Sequence, residues 1–235
     1  MTSRLRDALA APDSKSRYVR RLFSTIAERY DLITRLLSYG QDRRWKARVV
    51  ELSDPRPGLR ALDLACGTGD IAFALATRGA DVVGLDITHR MVQLARAKGG
   101  AARFVTGDML ALPFGDEAFD VVTTGYGLRN VPDIPRAIDE MRRVLKPDGV
   151  LLSLDFDRPA NAIVRGVYLT YLTLVGSTLG VILHRDPDTY RYIPESIRRY
   201  PGAPEVNAMI GRAGFSRSEY LPVFGGLMAI HHARR

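Results

Sequence analysis

LDLACGTGD, residues 62–70, decides the fold. Apolar residues flank Asp63, small residues follow, and a helix-like run opens at Asp70. This is the pattern of a buried strand that ends in a glycine turn and starts a helix. Gly67 and Gly69 carry no Cβ, so a ligand can come close to the backbone. The free N–H groups of the helix start point into the same space. A ligand with a ribose or a polar head is expected there.

Outward from that stretch the chain alternates between strand and helix. Strand one is expected over 59–65 and a helix over 70–78, stopped by Gly79. DVVGLD (81–86) reads as strand two, and Thr88 is placed to cap the next helix. ARFVTGD (102–108) and FDVVTTG (119–125) read as strands three and four. Ile134, Ala137, Ile138, Met141 and Leu145 form a helical stripe, after which KPDG turns the chain into strand five, 150–156. Glu205–Ala213 reads as a helix, followed by two strands in a hairpin. The expected fold is α/β: a Rossmann-like, doubly wound sheet of about seven strands whose last strands are antiparallel. Right-handed crossovers fix the winding, and ligands sit beyond the carboxyl ends of the strands.

Within one domain the divisions are 1–58, 59–156, 157–204 and 205–235. Residues 1–16 form a basic leader, and the rest of 1–58 forms helices that pack on the core edge or lid a site. Residues 59–156 are the ligand-binding core, and 205–235 complete it. The stretch between them holds VYLTYLTLVGSTLGVIL (167–183), which is uncharged and nearly long enough to span a membrane. Its threonines and glycines, and the flanking Arg165, His184 and Arg185, favour a buried or interfacial helix pair.

The chain has 235 residues, 46% apolar and 26% charged, which suits a soluble α/β domain with additions. A single cysteine, Cys66, excludes an internal disulfide, and the opening residues carry no apolar signal core, so the cytoplasm is expected. Cys66 reads as small filling in the turn. A net charge of +8 suits nucleic acid, an anionic membrane surface or simple solubility. No separate RNA-binding pattern is visible, so no nucleic-acid partner is expected.

Carboxylates at the strand ends define the chemistry. Asp86 can accept both vicinal hydroxyls of a ribose. Asp108 can accept an exocyclic amine, with Met109 beside the base. Asp63 is costly to bury without hydrogen bonds, and is placed to receive turn N–H groups or an ammonium. GTGDIA (67–72) also fits a dinucleotide fingerprint, which cradles a pyrophosphate at a helix start. Asp70 in that first turn would repel a diphosphate. Together with Asp63 it favours a cationic ligand, S-adenosyl-L-methionine, over NAD. Ala65, Gly67, Thr68, Gly69, Ile87 and Gly125 complete the expected donor site. No Cys/His cluster offers a metal site, and no metal is expected.

LDLACGTGD, VVGLD and GDMLALPF resemble the first motifs of class I S-adenosylmethionine-dependent methyltransferases. RYDLITRLLSYGQDRRWK (29–46), YGLRNV (126–131), RRVLKPDG (142–149) and YRYIPESIRRYP (190–201) resemble, more narrowly, the ubiquinone/menaquinone biosynthesis C-methyltransferase family. The likeness runs from about Tyr30 to the C-terminal hairpin. Tyr126 stands where the family usually has Phe, and Asp155 where it usually has Glu. The resemblance implies methylation of a polyprenylated quinol ring: demethylmenaquinol, or a methoxybenzoquinol precursor of ubiquinone. S-Adenosyl-L-homocysteine is the expected product, and a homodimer stays open.

Such a reaction needs the ring carbon held in line with the methyl group, and loss of the hydroxyl proton favoured. Arg129 could stabilise a phenolate or form a structural salt bridge. Asn130 could orient the ring oxygen, and Tyr126 could stack on the ring. Asp155 is the best-placed carboxylate. Tyr30, His184, Tyr190 and Tyr192 are expected on the substrate side. The apolar insert could take the prenyl tail or dip into the inner face of the membrane, helped by the basic N-terminal segment. Two rival readings are a methyltransferase for another small aromatic molecule and a non-catalytic donor-binding subunit of a quinone-synthesis complex.

Overall fold

In the computed structural model, Leu5 and residues 11–159 and 161–235 are described. The strands are β1 (Arg60–Leu64), β2 (Asp81–Asp86), β3 (Arg103–Thr106), β4 (Phe119–Gly125), β5 (Leu145–Phe156), β6 (Arg217–Val223) and β7 (Met228–Arg234). They form one sheet in the order β3-β2-β1-β4-β5-β7-β6. The first five run parallel, while β7 is antiparallel to both β5 and β6. The strand order reverses between β1 and β4, so a crevice opens beyond their carboxyl ends.

Among the described residues, the helices α1 (Pro12–Ile26), α2 (Tyr30–Leu37) and α3 (Asp42–Leu52) precede the sheet. The crossovers carry α4 (Asp70–Thr77), α5 (His89–Lys98) and α6 (Ile134–Val144). Then come α7 (Ala162–His184), α8 (Tyr192–Arg199) and α9 (Ala203–Arg212). Side chains alternate across a strand, so Leu62 and Leu64 bury against one core, with Ile138 and Met141 of α6. Ala61 buries on the other face with Ile71 and Leu75 of α4. Asp63 shares the Ala61 face, which brings its carboxylate to the start of α4.

The structure departs from expectation in four places. Residues 12–16 of the basic leader are helical, and residues 1–4 and 6–10 of it lie outside the described residues. β5 begins at Leu145, before the KPDG turn; a register shift opposite Phe119–Val121 takes up the extra residues. Thr88 sits at the N-cap of α5 with extended backbone, but its side chain makes no capping bond.

The insert differs most. It is one helix of 23 residues, and only 22% of its most apolar window is buried. Its buried line is Leu169, Leu172, Gly176 and Gly180, spaced for one helix face. A Cβ on Gly176 would lie 3.3 Å from Tyr190, so the missing side chain lets α7 seat closely on the segment leading to α8. The opposite face exposes Ile163 (77%), Val167 (67%), Leu174 (64%) and Ile182 (69%). Gly176 and Gly180, the two glycines of the run 167–183, both lie on the packed face, and the run stays in one helix.

Candidate active site

The glycine turn is held by carboxylates. Ala65, Gly67 and Gly69 all have positive φ (50°, 54° and 92°). A Cβ on Gly69 would lie 2.8 Å from both Phe73 and Phe104, so that glycine serves packing. One on Gly67 would meet only the Tyr30 ring, at an ordinary contact distance of 3.6 Å, so this glycine is required by its positive φ and not by crowding. Asp86 accepts the Gly67 N–H (2.9 Å) on one oxygen and the Thr88 N–H (2.7 Å) on the other. Burial raises its carboxyl above the usual range.

Asp63 meets neither the turn nor an ammonium. It accepts the Ala72 N–H (3.2 Å) and the Thr123 hydroxyl (2.9 Å), because strand alternation aims it at α4. Burial pushes its carboxyl up to about 7.

Asp70 also differs from expectation, because its charge is compensated. Lys46 of α3 lies 2.7 Å away and Lys98 of α5 3.7 Å. Burial works against its ionisation, but the two lysines hold its carboxyl below the usual value. Asp70 is therefore the carboxylate most firmly held ionised at the turn, with its charge met by two lysines, while burial shifts Asp63 and Asp86 toward their protonated forms. Thr68 donates to Asp31 (2.6 Å), and Lys98 also pairs with Asp31 (2.9 Å), so α2 is tied down over the turn.

Three cavities meet here. One of about 70 Å³ is lined by Ala65, Gly67, Asp86, Ile87, Asp108, Met109, Gly125 and Asn130, with Ser16, Val19 and Phe23 of α1 above. A smaller one of about 30 Å³ is lined by Lys46, Asp63, Gly67, Thr68 and Asp70. The third, of about 520 Å³, is almost wholly apolar, walled by α1, α2 and α7 with Trp45, Phe156 and Phe224. Tyr30 and Tyr126 line all three. They separate the polar side from the apolar side.

The loop after β4 sits at that junction. Arg129 is buried; its Nη1 donates to the Tyr126 carbonyl (2.7 Å) and lies 3.4 Å from Asp155. Asp155 also accepts the Arg129 backbone N–H (3.0 Å). The guanidinium stacks over the Phe156 ring at 4.8 Å. Asp155 is thus engaged by an arginine and two backbone N–H groups and is not a free carboxylate. Burial raises its carboxyl, with Arg129 opposing. The Arg129 Nε and the Tyr126 hydroxyl are buried with no hydrogen-bond partner among the described residues. Asn130 donates to the Tyr126 carbonyl (2.8 Å) and accepts from the Tyr192 hydroxyl (3.0 Å).

Tyr190 and Tyr192 both line the large cavity. His184 does not; it closes α7, with its Nε2 2.8 Å from the Tyr190 hydroxyl. Sequence reasoning assigned no role to Lys46 or to Lys15. Lys15 reaches from α1 to the carbonyls of Arg129 (3.1 Å) and Val131 (2.5 Å). Lys46 closes the RYDLITRLLSYGQDRRWK segment, which was the available signal. His231 is structural, bonded to the Ala203 carbonyl at 3.0 Å. Among the described residues no group of three or more His, Cys, Asp or Glu could hold a metal.

Comparison with known proteins follows the same lines. An S-adenosylmethionine-dependent methyltransferase of Thermotoga maritima superposes with a TM-score of 0.66 at 19% identity, covering 92% of this chain and 99% of its own. Another, of Mesorhizobium loti, gives 0.60 at 20% identity over 82% and 98%. These establish the fold. The demethylmenaquinone methyltransferase of Thermus thermophilus is 44% identical over 216 residues, 89% of this chain and 98% of that protein. The ubiquinone/menaquinone biosynthesis C-methyltransferase UbiE of Azotobacter vinelandii is 40% identical over 232 residues, 94% and 92% of the two chains. The model of the ubiE/COQ5 methyltransferase family matches residues 11–235. The chain belongs to the ubiE/COQ5 methyltransferase family and is an S-adenosylmethionine-dependent methyltransferase.

Proposed function

We propose that this enzyme methylates a ring carbon of a polyprenylated quinol in respiratory quinone biosynthesis, either demethylmenaquinol or the methoxybenzoquinol precursor of ubiquinone. The observation that carries the reading is the pairing of cavities. A polar site at the glycine turn adjoins an apolar cavity of about 520 Å³, with Tyr30 and Tyr126 between them. That volume falls in the range of small-molecule sites, about 300–1,000 Å³.

The residues at the turn fit S-adenosyl-L-methionine. Gly67 leaves its cradle open, and Asp86 keeps a lone pair on each oxygen for ribose hydroxyls. Met109 and Asp108 flank the place for the base. Ser16, Val19 and Phe23 of α1 border this space. When bound, this cofactor supplies an electrophilic methyl group.

The chain's own residues do the rest. Tyr30 and Tyr126 hold the quinol ring at the junction and keep water out. The Arg129 Nε–H faces a ring oxygen and favours its ionised form, which makes the neighbouring carbon nucleophilic. Asp155 fixes the guanidinium for that task. Asn130 and Tyr192 hold the loop against the substrate side. The apolar wall receives the prenyl tail. Five of the large exposed apolar residues (Tyr39, Ile163, Val164, Val167 and Phe224) also line the cavity, so its mouth has a greasy rim. With the outer face of α7, that rim rests in the inner membrane interface while the core stays in the cytoplasm.

The test is methyl transfer from labelled donor to each demethylated quinol in detergent, against a soluble phenol. Label on a quinol ring carbon supports the reading. Label on the phenol alone, or on neither, sinks it.

A further inference from the structure

The acidic floor of the donor site poses a problem of charge. Asp86 and Asp70 stand on either side of the glycine turn, each lining one of the two donor-side cavities, and they suit a sulfonium and an ammonium. The donor also carries a carboxylate at its aminoacyl end. Bringing that group beside the Asp70 carboxylate is unfavourable unless a cation meets it, because charges a few ångströms apart in a partly buried site interact strongly.

Lys46 is the only cation among the described residues that line the two donor-side cavities. Its side chain is 13% exposed and its direction is fixed. Nζ lies 3.1 Å from Asp42, one turn earlier on α3, and 2.7 Å from Asp70 across the cavity. It also stands 6.0 Å from the Tyr126 ring centroid, on the side of the cleft where methyl transfer takes place. An ammonium has three N–H donors, and these two carboxylates engage two.

We propose that Lys46 anchors the carboxylate of the methyl donor's aminoacyl end, in the small cavity between α3 and the glycine turn. The proposal rests on the reading of the turn as an S-adenosyl-L-methionine site. It sets the donor's reach: with the carboxylate held at Lys46 and the ribose at Asp86, the sulfur between them is brought beneath Tyr126. The same two contacts discriminate against nucleosides that lack the aminoacyl arm. A strut role, in which Lys46 only braces Asp70 and the turn, would affect every nucleoside alike.

Calorimetry with two probes separates the roles. S-Adenosyl-L-homocysteine carries the carboxylate, and 5′-methylthioadenosine lacks it. Lys46→Met is expected to weaken S-adenosyl-L-homocysteine at least tenfold and to leave 5′-methylthioadenosine within twofold, which also reports an intact site. Lys46→Arg is expected to recover most of the loss. Equal weakening of both probes, or no change in either, overturns the proposal. Wild-type binding of both probes keeps the donor reading standing whichever way the variants fall. Wild-type binding of neither overturns that reading, and the anchor with it.

Discussion

The two halves of the cleft are built from opposite materials. On the donor side, a short loop is held by carboxylates that accept backbone N–H groups: Asp86 from Gly67 and Thr88, Asp63 from Ala72. On the acceptor side, helices from outside the alternating core, α1, α2 and α7, enclose an almost wholly apolar space. Hydrogen bonds are directional, so the donor side can tolerate little movement. Burial of apolar surface is not directional, so the acceptor side can admit a long flexible tail. Arg129 and Asp155 form the seam, a buried ion pair between the last polar loop and the first wall of the apolar cavity.

Breaking the seam is expected to have the largest effect. Arg129→Ala leaves Asp155 buried without its cation, and loss of one partner of such a pair costs about 3–5 kcal/mol. Chemical denaturation should show that loss, and turnover should fall while S-adenosyl-L-homocysteine binding persists. A loss under about 1 kcal/mol would mean the pair does not hold the two halves together.

Asp63 gives the donor half a pH signature. Burial lifts its carboxyl from 3.8 to about 7 in the fold. Between those values the folded chain holds a proton that the unfolded chain has released, so this group's contribution to stability falls as pH rises from about 4 to about 7. The slope from one such proton reaches about 1.4 kcal/mol per pH unit. Asp63→Asn should flatten that part of the profile in denaturant titrations, and an unchanged slope would reassign it.

Asp86→Ala removes both the tie to Gly67 and the acceptor for the ribose. Donor affinity should fall more than tenfold by calorimetry, about 1.4 kcal/mol or more. The smallest effect on stability, within about 0.5 kcal/mol, is expected for Val167→Asp with Ile182→Asp on the outer face of α7. The same pair should abolish flotation with anionic liposomes at low salt. Retained flotation would move the membrane contact elsewhere.

The same contrast sets what the sequence revealed. Strands alternating with helices, and the LDLACGTGD turn, are local patterns, and β2 and β4 fall on their expected ranges. The place of Asp86 at a strand end was readable, but the turn N–H groups are expected on Asp63, and it is Asp86 that accepts the Gly67 N–H. The partners of Asp70 were not readable, because Lys46 and Lys98 reach it from helices 24 and 28 residues away in the chain. In the sequence a structural salt bridge is open to Arg129 but with no partner named, and Asp155 reads as a free carboxylate, since neither residue's pattern encodes burial. The apolar run 167–183 was legible as membrane-like, but not as a single helix with one face packed and one bare. That division depends on what Tyr190 and Asp186 press against Gly176 and Gly180.

The central claim is that the apolar cavity holds the tail-bearing quinol against the donor site. Its most direct test is kcat/KM for a prenylated quinol against the same head group without its tail, both in the same detergent. Each buried CH₂ contributes about 0.8 kcal/mol, so even one enclosed isoprene unit predicts a preference of well over tenfold for the prenylated quinol. Equal kcat/KM for the two would contradict the account.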